Sequence, residues 1–240
     1  MRLLWTGGWD SSFRLLQLLL VEGAAVQPIY AVSLTRRTAM VELQTMERMR
    51  RALLARLDDP SRLLPTTVVV AEQHPPRPEL TALWTSLRRR VPLGVQYLWL
   101  AELAEALDWR GVELCIEKHP GGPGPWERAV FDAPGSLNDS PEAALFARWS
   151  FPVIGLTKED MGALARRHGF YDVLVQRWFC QDPLMGRACG RCRPCSLANR
   201  DGVDFAPAPL VLARRAWLKA AGATWRRAPR AGRAPTPQEG

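Results

Sequence analysis

Short apolar segments alternate with longer amphipathic ones along most of the chain, and this alternation predicts strands and helices in turn. The predicted strands are 3–5, 26–32, 66–70 and 112–116, and the predicted helices are about 13–20, 40–57, 79–89, 94–107, 157–168 and 210–221. Because strands that alternate with helices usually pair in parallel, we predict an α/β fold with a doubly wound, mainly parallel sheet. Segment 66–70 is rich in Val and Thr and is expected to be a buried strand. Cys115 is expected to be a buried core residue of the strand 112–116.

One long segment, 117–140, interrupts this alternation. It is rich in Pro and Gly and shows no regular hydrophobic period. Irregular segments of this length inside a compact domain are usually functional or mobile. We therefore expect a long loop there without regular structure.

The junction between the first predicted strand and the first predicted helix, residues 6–12, reads Thr-Gly-Gly-Trp-Asp-Ser-Ser. Two glycines permit a tight turn and a close approach of the backbone to a ligand. Ser11 and Ser12 are expected to cap the helix, whose free N–H groups and dipole would attract an anion such as phosphate. The junction lacks the Lys of a Walker loop and the third glycine of a dinucleotide fingerprint. At this point an ordinary strand–turn–helix junction, capped by Ser11, is the open alternative.

Length and charge narrow the choice of function. The chain has 240 residues, of which 47% are hydrophobic, enough for one α/β domain with a substantial core. Of the net charge of +8, residues 214–240 carry +6, with seven basic side chains and one acidic one. The remainder is nearly neutral, so nucleic acid is not expected as its partner, although the basic end could contact RNA or DNA weakly. No apolar stretch reaches the ~18 residues of a membrane span, and we expect a cytoplasmic protein without membrane contact.

Four of the five cysteines lie close together, in the spacing C-x8-C-x2-C-x2-C. They are Cys180, Cys189, Cys192 and Cys195. In a cytoplasmic protein such crowding indicates a metal site rather than disulfides. Each C-x2-C step brings two thiolates to one ion, and four thiolates close a tetrahedral site, so we predict a structural Zn²⁺. An iron–sulfur cluster is the alternative that the same four ligands leave open.

Three blocks of the sequence resemble the 7-cyano-7-deazaguanine synthase family, a branch of the PP-loop ATP pyrophosphatases. Residues 4–15 resemble the ATP loop Ser-Gly-Gly-x-Asp-Ser of that superfamily. Residues 151–160, Phe-Pro-Val-Ile-Gly-Leu-Thr-Lys-Glu-Asp, resemble a second block that leads into a helix, and Thr157 with Asp160 three residues later predicts a capping box at the start of that helix. Residues 179–197 resemble the family's zinc block in both spacing and residue type. The three blocks cover a minor part of the chain but bracket nearly all of it.

The resemblance implies a PP-loop fold, of the adenine nucleotide α-hydrolase type, and an ATP-dependent carbon–nitrogen ligase. Such enzymes adenylate a carboxylate with release of pyrophosphate and convert it with ammonia to an amide and then a nitrile, in queuosine biosynthesis. The implied cofactors are ATP, Mg²⁺ and Zn²⁺, and the implied catalytic residues are Asp10, Ser11 and Lys158. The implied nucleotide-binding residues are Thr6, Gly7, Gly8, Trp9, Asp10, Ser11, Ser12 and Ser33. Lys158 has an alternative interpretation as a solvent-facing residue in the first turn of a helix.

Three other segments depart from the family's pattern. Residues 33–38 read Ser-Leu-Thr-Arg-Arg-Thr instead of Asp-Tyr-Gly-Gln-Arg-His, residues 91–95 lack the family's Arg and Asn, and residues 117–126 replace a substrate-binding segment. The ATP and zinc blocks are thus kept while the substrate blocks differ, so adenylation of a carboxylate is the firmer expectation. The alternatives are another small acid or a protein or peptide carboxyl group as acceptor, tRNA base modification, and a non-enzymatic zinc-knuckle binding module.

The expected domain organisation has four parts. Residues 1–178 form the ATP-binding α/β domain, and residues 179–200 form a four-cysteine zinc knuckle packed on it. Residues 201–223 form a helical segment, and residues 224–240 form a disordered basic tail rich in Pro and Ala. The expected partners are a small-molecule carboxylate and ammonia, and a homodimer is an open expectation.

Overall fold

The computed structural model describes residues 1–119, 121–200, 205, 212–213 and 216–217. The chain divides into two compact units, residues 1–179 and residues 180–240. Residues 212–213 and 216–217 are helical, while the rest of the predicted helix 210–221 and the predicted disordered tail 224–240 lie outside the described residues. No helix in the described ranges is long and apolar enough to cross a membrane. The four-part domain organisation stays a prediction.

Five parallel strands form the sheet of the first unit, in the order β3-β2-β1-β4-β7. The strands of this sheet are β1 (Arg2–Leu4), β2 (Gln27–Val32), β3 (Thr67–Val70), β4 (Val112–Glu113) and β7 (Trp149–Ser150), and β5 (Phe131–Ala133) and β6 (Ser136–Leu137) form a separate hairpin. The helices of the unit are α1 (Trp9–Leu20), α2 (Ala39–Leu54), α3 (Pro78–Arg90), α4 (Gln96–Ala106), α5 (Pro125–Val130), α6 (Lys158–Arg167) and α7 (Tyr171–Leu174). The chain runs outward from β1 to β3 and then returns to β4 on the other side of β1, so the sheet has its switch point between β1 and β4.

Hydrophobic clusters cover both faces of this sheet. Leu3 and Leu4 of β1 point into different clusters, because successive side chains of a strand face opposite sides. The cluster around Leu3 includes buried residues of α1, α2, α6 and α7. The cluster around Leu4 includes buried residues of α3 and α4. The predicted α/β fold with a doubly wound, mainly parallel sheet is therefore confirmed.

The prediction that segment 66–70 is buried was wrong. The segment does form β3, but β3 is an edge strand, and Val68 is 52% exposed. Val and Thr favour strands because their branched side chains fit a pleated surface, whether or not that surface is covered. The residue types of this segment therefore predicted that it forms a strand, but not that the strand lies at the edge of the sheet.

The prediction of an irregular loop over 117–140 was wrong for its second half. Pro125 is the first residue of α5, a position at which the missing N–H of proline is not needed. Gly135, with φ of +82°, turns the chain between β5 and β6. Trp126 stacks on Phe146 with ring centroids 5.2 Å apart and packs against the core. The Pro and Gly residues of this segment mark the ends of short elements, not an absence of structure.

A buried ion pair connects α1 to β4 and gives a stability prediction. Arg14 donates two hydrogen bonds of 2.9 Å to Glu113, whose side chain is 4% exposed. Arg14→Ala would leave that carboxylate buried without its cation, so we expect the free energy of unfolding to fall by about 3–5 kcal/mol. Arg51, which pairs with Glu47 on the surface, is the matched control, and Arg51→Ala should cost less than about 1 kcal/mol. Urea unfolding measures both, and equal small losses would contradict the prediction.

Candidate functional site

The glycine loop follows β1 and leads directly into α1. Gly7 has φ of +69°, and Gly8 is the N-cap residue of α1 with an extended backbone. The helix begins at Trp9, so the expectation that Ser11 and Ser12 cap it was wrong, and no side chain caps it. The hydrophobic period placed the start of the helix too late, because its first four residues, 9–12, are mostly polar and do not show that period. The first-turn N–H groups of α1 have no partner within the helix and are aligned with the positive end of its dipole.

The two serines of the first turn play different roles. The Ser11 hydroxyl accepts a hydrogen bond of 3.4 Å from the Thr6 N–H and so closes the loop on itself. The Ser12 hydroxyl accepts a hydrogen bond of 3.0 Å from the Trp5 indole and donates one of 3.7 Å to the Met49 sulfur. Ser12 is fully buried, so its hydroxyl holds the loop against the core.

Gly7 is required by its backbone angle and by its surroundings, and this yields a second prediction. A Cβ on Gly7 would lie 3.2 Å from Met46 Cγ and 3.4 Å from Thr45 Cγ2. Gly111 is a matched control, because its φ is +63° but, apart from its chain neighbours, no heavy atom of the described residues lies within 4 Å of the position that a Cβ would take there. Gly111→Ala should cost only the left-handed backbone penalty of about 1–2 kcal/mol, whereas Gly7→Ala should cost about 1–3 kcal/mol more. Thermal unfolding of the two variants compares them, and equal shifts of Tm would contradict the steric argument.

A pocket opens at the carboxyl end of the sheet, at the switch point. Its volume is about 170 Å³, below the ~300–1,000 Å³ of pockets that enclose a whole ligand. Its walls come from β1, the glycine loop, α1, β2, α4 and the segment after β4. The lining residues are Leu4, Thr6, Gly8, Trp9, Asp10, Ser11, Ala31, Arg36, Gln96, Trp99, Leu100, Leu114 and Cys115. Cys115, expected to be a core residue, is half-buried and lies in this wall.

Asp10 brings a buried acidic group into the pocket. Its Oδ1 is buried and makes no hydrogen bond within the described residues. Burial, reinforced by the negative charge of Glu117, raises the pKa of Asp10 from its ordinary 3.8 to about 7, although Lys158 and Arg177 act in the opposite direction. A buried acceptor without a partner is costly, so Asp10 is stabilised by any cation or donor that a ligand brings.

Lys158 lies where its charge acts on Asp10. It is the first residue of α6, whose N-cap Thr157 exchanges hydrogen bonds with Asp160, so the predicted capping box is confirmed. The Lys158 ammonium donates a 2.8 Å hydrogen bond to Glu117. Burial lowers the pKa of Lys158, but the carboxylates of Asp10 and Glu117 outweigh burial and raise it overall. Lys158 is thus a cation in a charged group, and its side chain is at the same time 49% exposed, so it also faces solvent as the alternative interpretation expected.

Ser33, expected to bind the nucleotide, is held by protein groups. Its hydroxyl donates a 2.5 Å hydrogen bond to Glu72 and lies 2.8 Å from the Thr35 hydroxyl. Glu72 also accepts hydrogen bonds from the Leu34 N–H. Ser33 is buried, and it does not line the pocket. These contacts fix the loop after β2, which carries Arg36.

Several residues at this site were missed by sequence reasoning. Arg36 and Trp99 line the pocket, and Glu117 and Arg177 act on the charge of Asp10. The Arg177 guanidinium lies 4.4 Å from the ring centroid of Trp9, and the Trp178 N–H donates a 2.8 Å hydrogen bond to the Gly7 carbonyl. Arg36 and Glu117 follow β2 and β4, so the rule that ligands bind at the carboxyl ends of strands could have pointed to them. Arg177 and Trp99 carry no such signal.

In the second unit the four predicted cysteines come together. Cys180, Cys189 and Cys195 are buried and Cys192 is half-buried, and all four Sγ atoms lie within 4.8 Å of one another. The unit also contains helix α8 (Arg193–Arg200), which follows Cys192. The Sγ atoms of Cys189 and Cys195 are 3.9 Å apart, as are those of Cys180 and Cys192, too far for a disulfide bond of about 2.05 Å.

This geometry fits one tetrahedral ion. A Zn–S distance of about 2.3 Å places thiolates roughly 3.8 Å apart. Backbone N–H groups of Arg191 and Cys192 donate to Cys189 Sγ at 3.4 and 3.3 Å, and Gly190, with φ of +66°, turns the chain directly after Cys189. Burial raises the pKa of Cys189, but these two donors, together with hydrogen bonds from the Cys180 and Cys192 thiols, outweigh it and lower the pKa to about 7. The cluster can hold a Zn²⁺, whereas an iron–sulfur cluster would need room between the thiolates for several metal and sulfur atoms.

Comparison with known proteins gives little further information. No family model matches the chain, and no curated protein matches it significantly. Among solved structures, the crystal structure of a 4-thiouridine synthetase–RNA complex with bound ATP matches with a TM-score of 0.37 and 15% sequence identity. The match covers 84% of this chain and 49% of the other, so this chain spans about half of that protein's length. At this level of similarity, function has to be argued from the site.

Proposed function

We propose that this chain binds ATP on its glycine loop and transfers the adenylyl group to a carboxylate, with release of pyrophosphate. One observation carries the proposal: Asp10, whose buried Oδ1 makes no hydrogen bond among the described residues, lies in a pocket that the first turn of α1 helps to form at the switch point of the sheet. Helix N-termini that follow a glycine turn bind phosphates through free N–H groups and the helix dipole. The resemblance of residues 4–15 to the PP-loop supports ATP as the source of those phosphates.

The proposed reaction asks the protein to position reactants and to neutralise charge. An oxygen of the acceptor carboxylate attacks the α-phosphorus of ATP, and the bond to the β-phosphate breaks as pyrophosphate leaves. The N–H groups of the glycine loop and the Lys158 ammonium stabilise the negative charge of that leaving group. Asp10 would hold Mg²⁺, which would supply further positive charge beside the phosphates.

We further propose that ammonia completes the reaction. It attacks the carbonyl carbon of the acyl-adenylate, AMP leaves, and an amide forms. A second activation by ATP removes water from the amide and gives a nitrile. With 7-carboxy-7-deazaguanine as acceptor, this is the 7-cyano-7-deazaguanine synthase reaction of queuosine biosynthesis. The resemblance of residues 151–160 and 179–197 to this family supports the reaction type, and the altered segments 33–38 and 117–126 favour another acid as the alternative acceptor.

The four-cysteine cluster has a structural role in this proposal. Four thiolates fill the coordination sphere of Zn²⁺ and leave no open position for a substrate, so no step of the reaction requires the ion. A cytoplasmic location and a homodimer stay predictions.

Nucleotide product analysis tests the proposed function. The purified chain would be incubated with Mg-ATP and ammonium, with and without 7-carboxy-7-deazaguanine, and the products identified by mass spectrometry. AMP together with a nitrile is the expected result. AMP that forms only with another acid would keep the adenylation and change the acceptor. No AMP with any acid would overturn the proposal in favour of a non-enzymatic role.

A further inference from the structure

Arg36 is a basic side chain that no part of the proposed reaction has yet used. It follows β2 and is the one basic residue among those that line the pocket within the described part of the chain. The first turn of α1, with Asp10 and Ser11, forms another part of the same wall. A guanidinium and a helix N-terminus on one small pocket make it attractive to an oxyanion.

A buried carboxylate fixes the position of Arg36. The Arg36 Nη2 donates a 3.0 Å hydrogen bond to Glu42 of α2, whose side chain is 6% exposed. The other oxygen of Glu42 accepts a 2.7 Å hydrogen bond from the Tyr30 hydroxyl. Burial and the nearby Glu42 carboxylate raise the pKa of Tyr30, so Tyr30 remains a hydrogen-bond donor. Tyr30 therefore fixes one oxygen of Glu42, and the other oxygen of Glu42 orients the Arg36 guanidinium.

Arg36 has hydrogen-bond donors that the bond to Glu42 does not use, and a ligand could accept from them. A guanidinium has five N–H donors in a planar fork, and the bond to Glu42 is the one side-chain hydrogen bond that Arg36 makes among the described residues. The Arg36 side chain is 34% exposed and is among the residues that line the pocket. Any positive side chain at position 36 would neutralise Glu42. A guanidinium can in addition donate two parallel hydrogen bonds to two oxygens of one phosphate.

We infer that Arg36 binds a phosphate of the nucleotide in this pocket and that Glu42 is the positioning residue that orients it. The inference rests on the proposed function, because ATP is taken as the source of the phosphate. The carboxylate of the acceptor is the other oxyanion that the same fork could bind. Phosphate is favoured because the first turn of α1, whose N–H groups suit a phosphate, lines the same pocket.

Titration calorimetry with Mg-ATP, with inorganic pyrophosphate and, as the acceptor acid, with 7-carboxy-7-deazaguanine tests the assignment of Arg36. Arg36→Ala should weaken the binding of Mg-ATP and of pyrophosphate about 10–100-fold, since hydrogen bonds to a charged group are lost. Arg36→Lys keeps the positive charge beside Glu42 but not the planar guanidinium. Its Tm should therefore equal that of the unaltered chain, while its affinity for these two ligands should lie between those of the unaltered chain and Arg36→Ala. Arg37→Ala, which removes an exposed neighbouring arginine, is the matched control and should leave affinity unchanged.

The role of Glu42 is tested by Glu42→Gln, which keeps the shape of the side chain and an acceptor for Tyr30. We expect KM for ATP to rise about 3–10-fold with kcat nearly unchanged, as for the loss of orientation of a charged hydrogen bond. A fall of kcat and Tm without a change of KM would instead show a purely structural role.

The outcomes separate this inference from the proposed function. If the unaltered chain binds Mg-ATP and Arg36→Ala binds it equally well, the inference fails and the proposed function stands. If Arg36→Ala keeps its affinity for pyrophosphate but loses affinity for the acceptor acid, Arg36 binds the acceptor instead and the inference fails. If the unaltered chain binds neither Mg-ATP nor pyrophosphate, both fail.

Discussion

Replacing Asp10 by alanine is expected to abolish AMP formation while leaving the chain folded. The carboxylate is the proposed holder of Mg²⁺ beside the phosphates, and losing such charge stabilisation should lower kcat/KM about 100-fold or more. Ser11→Ala removes a hydroxyl whose contact is with the Thr6 backbone, so its effect should be smaller. The measurement is AMP release under saturating acceptor, with circular dichroism to confirm folding. Unchanged AMP release in Asp10→Ala would show that Asp10 has no part in the reaction.

Replacing Asp10 by asparagine is expected to raise the stability of the folded chain at high pH, in contrast to the loss of activity expected for Asp10→Ala. The pKa of Asp10 is raised from 3.8 to about 7 in the folded chain, chiefly by burial. The folded state therefore binds the proton more tightly than the unfolded state, and its contribution to stability is present below pH ~4 and is lost as pH rises through 7. Asp10→Asn cannot ionise, so we expect it to be more stable than the unaltered chain at pH 8 but not at pH 4. Tm measured at both pH values checks this, and a variant less stable at pH 8 would contradict it.

Loss of one thiolate from the four-cysteine cluster is expected to release the metal and destabilise the second unit. The four Sγ atoms are held within 4.8 Å of one another, and structural Zn²⁺ sites contribute on the order of 10 kcal/mol to folding. Cys189→Ser should lower bound Zn²⁺ from about one ion per chain to nearly none. The readouts are metal content by mass spectrometry and protease resistance of the segment that contains the cluster.

Cys115 provides the matched control for this experiment. It lies in the wall of the pocket in the first unit, and burial raises the pKa of its thiol well above the usual value, so it is a poor metal ligand. Cys115→Ser should keep the full complement of Zn²⁺. Equal zinc loss in the two variants, or no zinc in the unaltered chain with its thiols reduced, would contradict the metal assignment.

The sequence predicted well those features that depend on nearby residues. The order of strands and helices follows from the alternation of apolar and amphipathic segments, and the four-cysteine cluster follows from a spacing that spans few residues. The capping box of Thr157 and Asp160 is likewise a local pattern. Such features succeed because the residues that form them are linked by a short stretch of chain, whose geometry the sequence determines.

Features that depend on tertiary packing were predicted poorly. Nothing in the sequence shows that the Ser12 hydroxyl faces Trp5 and Met49, or that the hydroxyl of Ser33 is bound by Glu72. The charge of Arg177 reaches Asp10 only because the two ends of the first unit fold together. The edge position of β3 also depends on which strands pair, and side-chain preference does not reveal that.

The hydrogen bond from the backbone N–H of Trp178 to the backbone carbonyl of Gly7 has a consequence for how the molecule folds. It joins residues near opposite ends of the first unit, and the central strand β1 likewise waits for β4 to supply its second neighbour. Contacts so distant along the chain require large loops to close before they contribute any stability, which gives a high contact order and slow folding. We therefore expect the glycine loop to acquire its final shape late in folding, and the proposed binding of ATP would then report completion of the unit, not its early collapse.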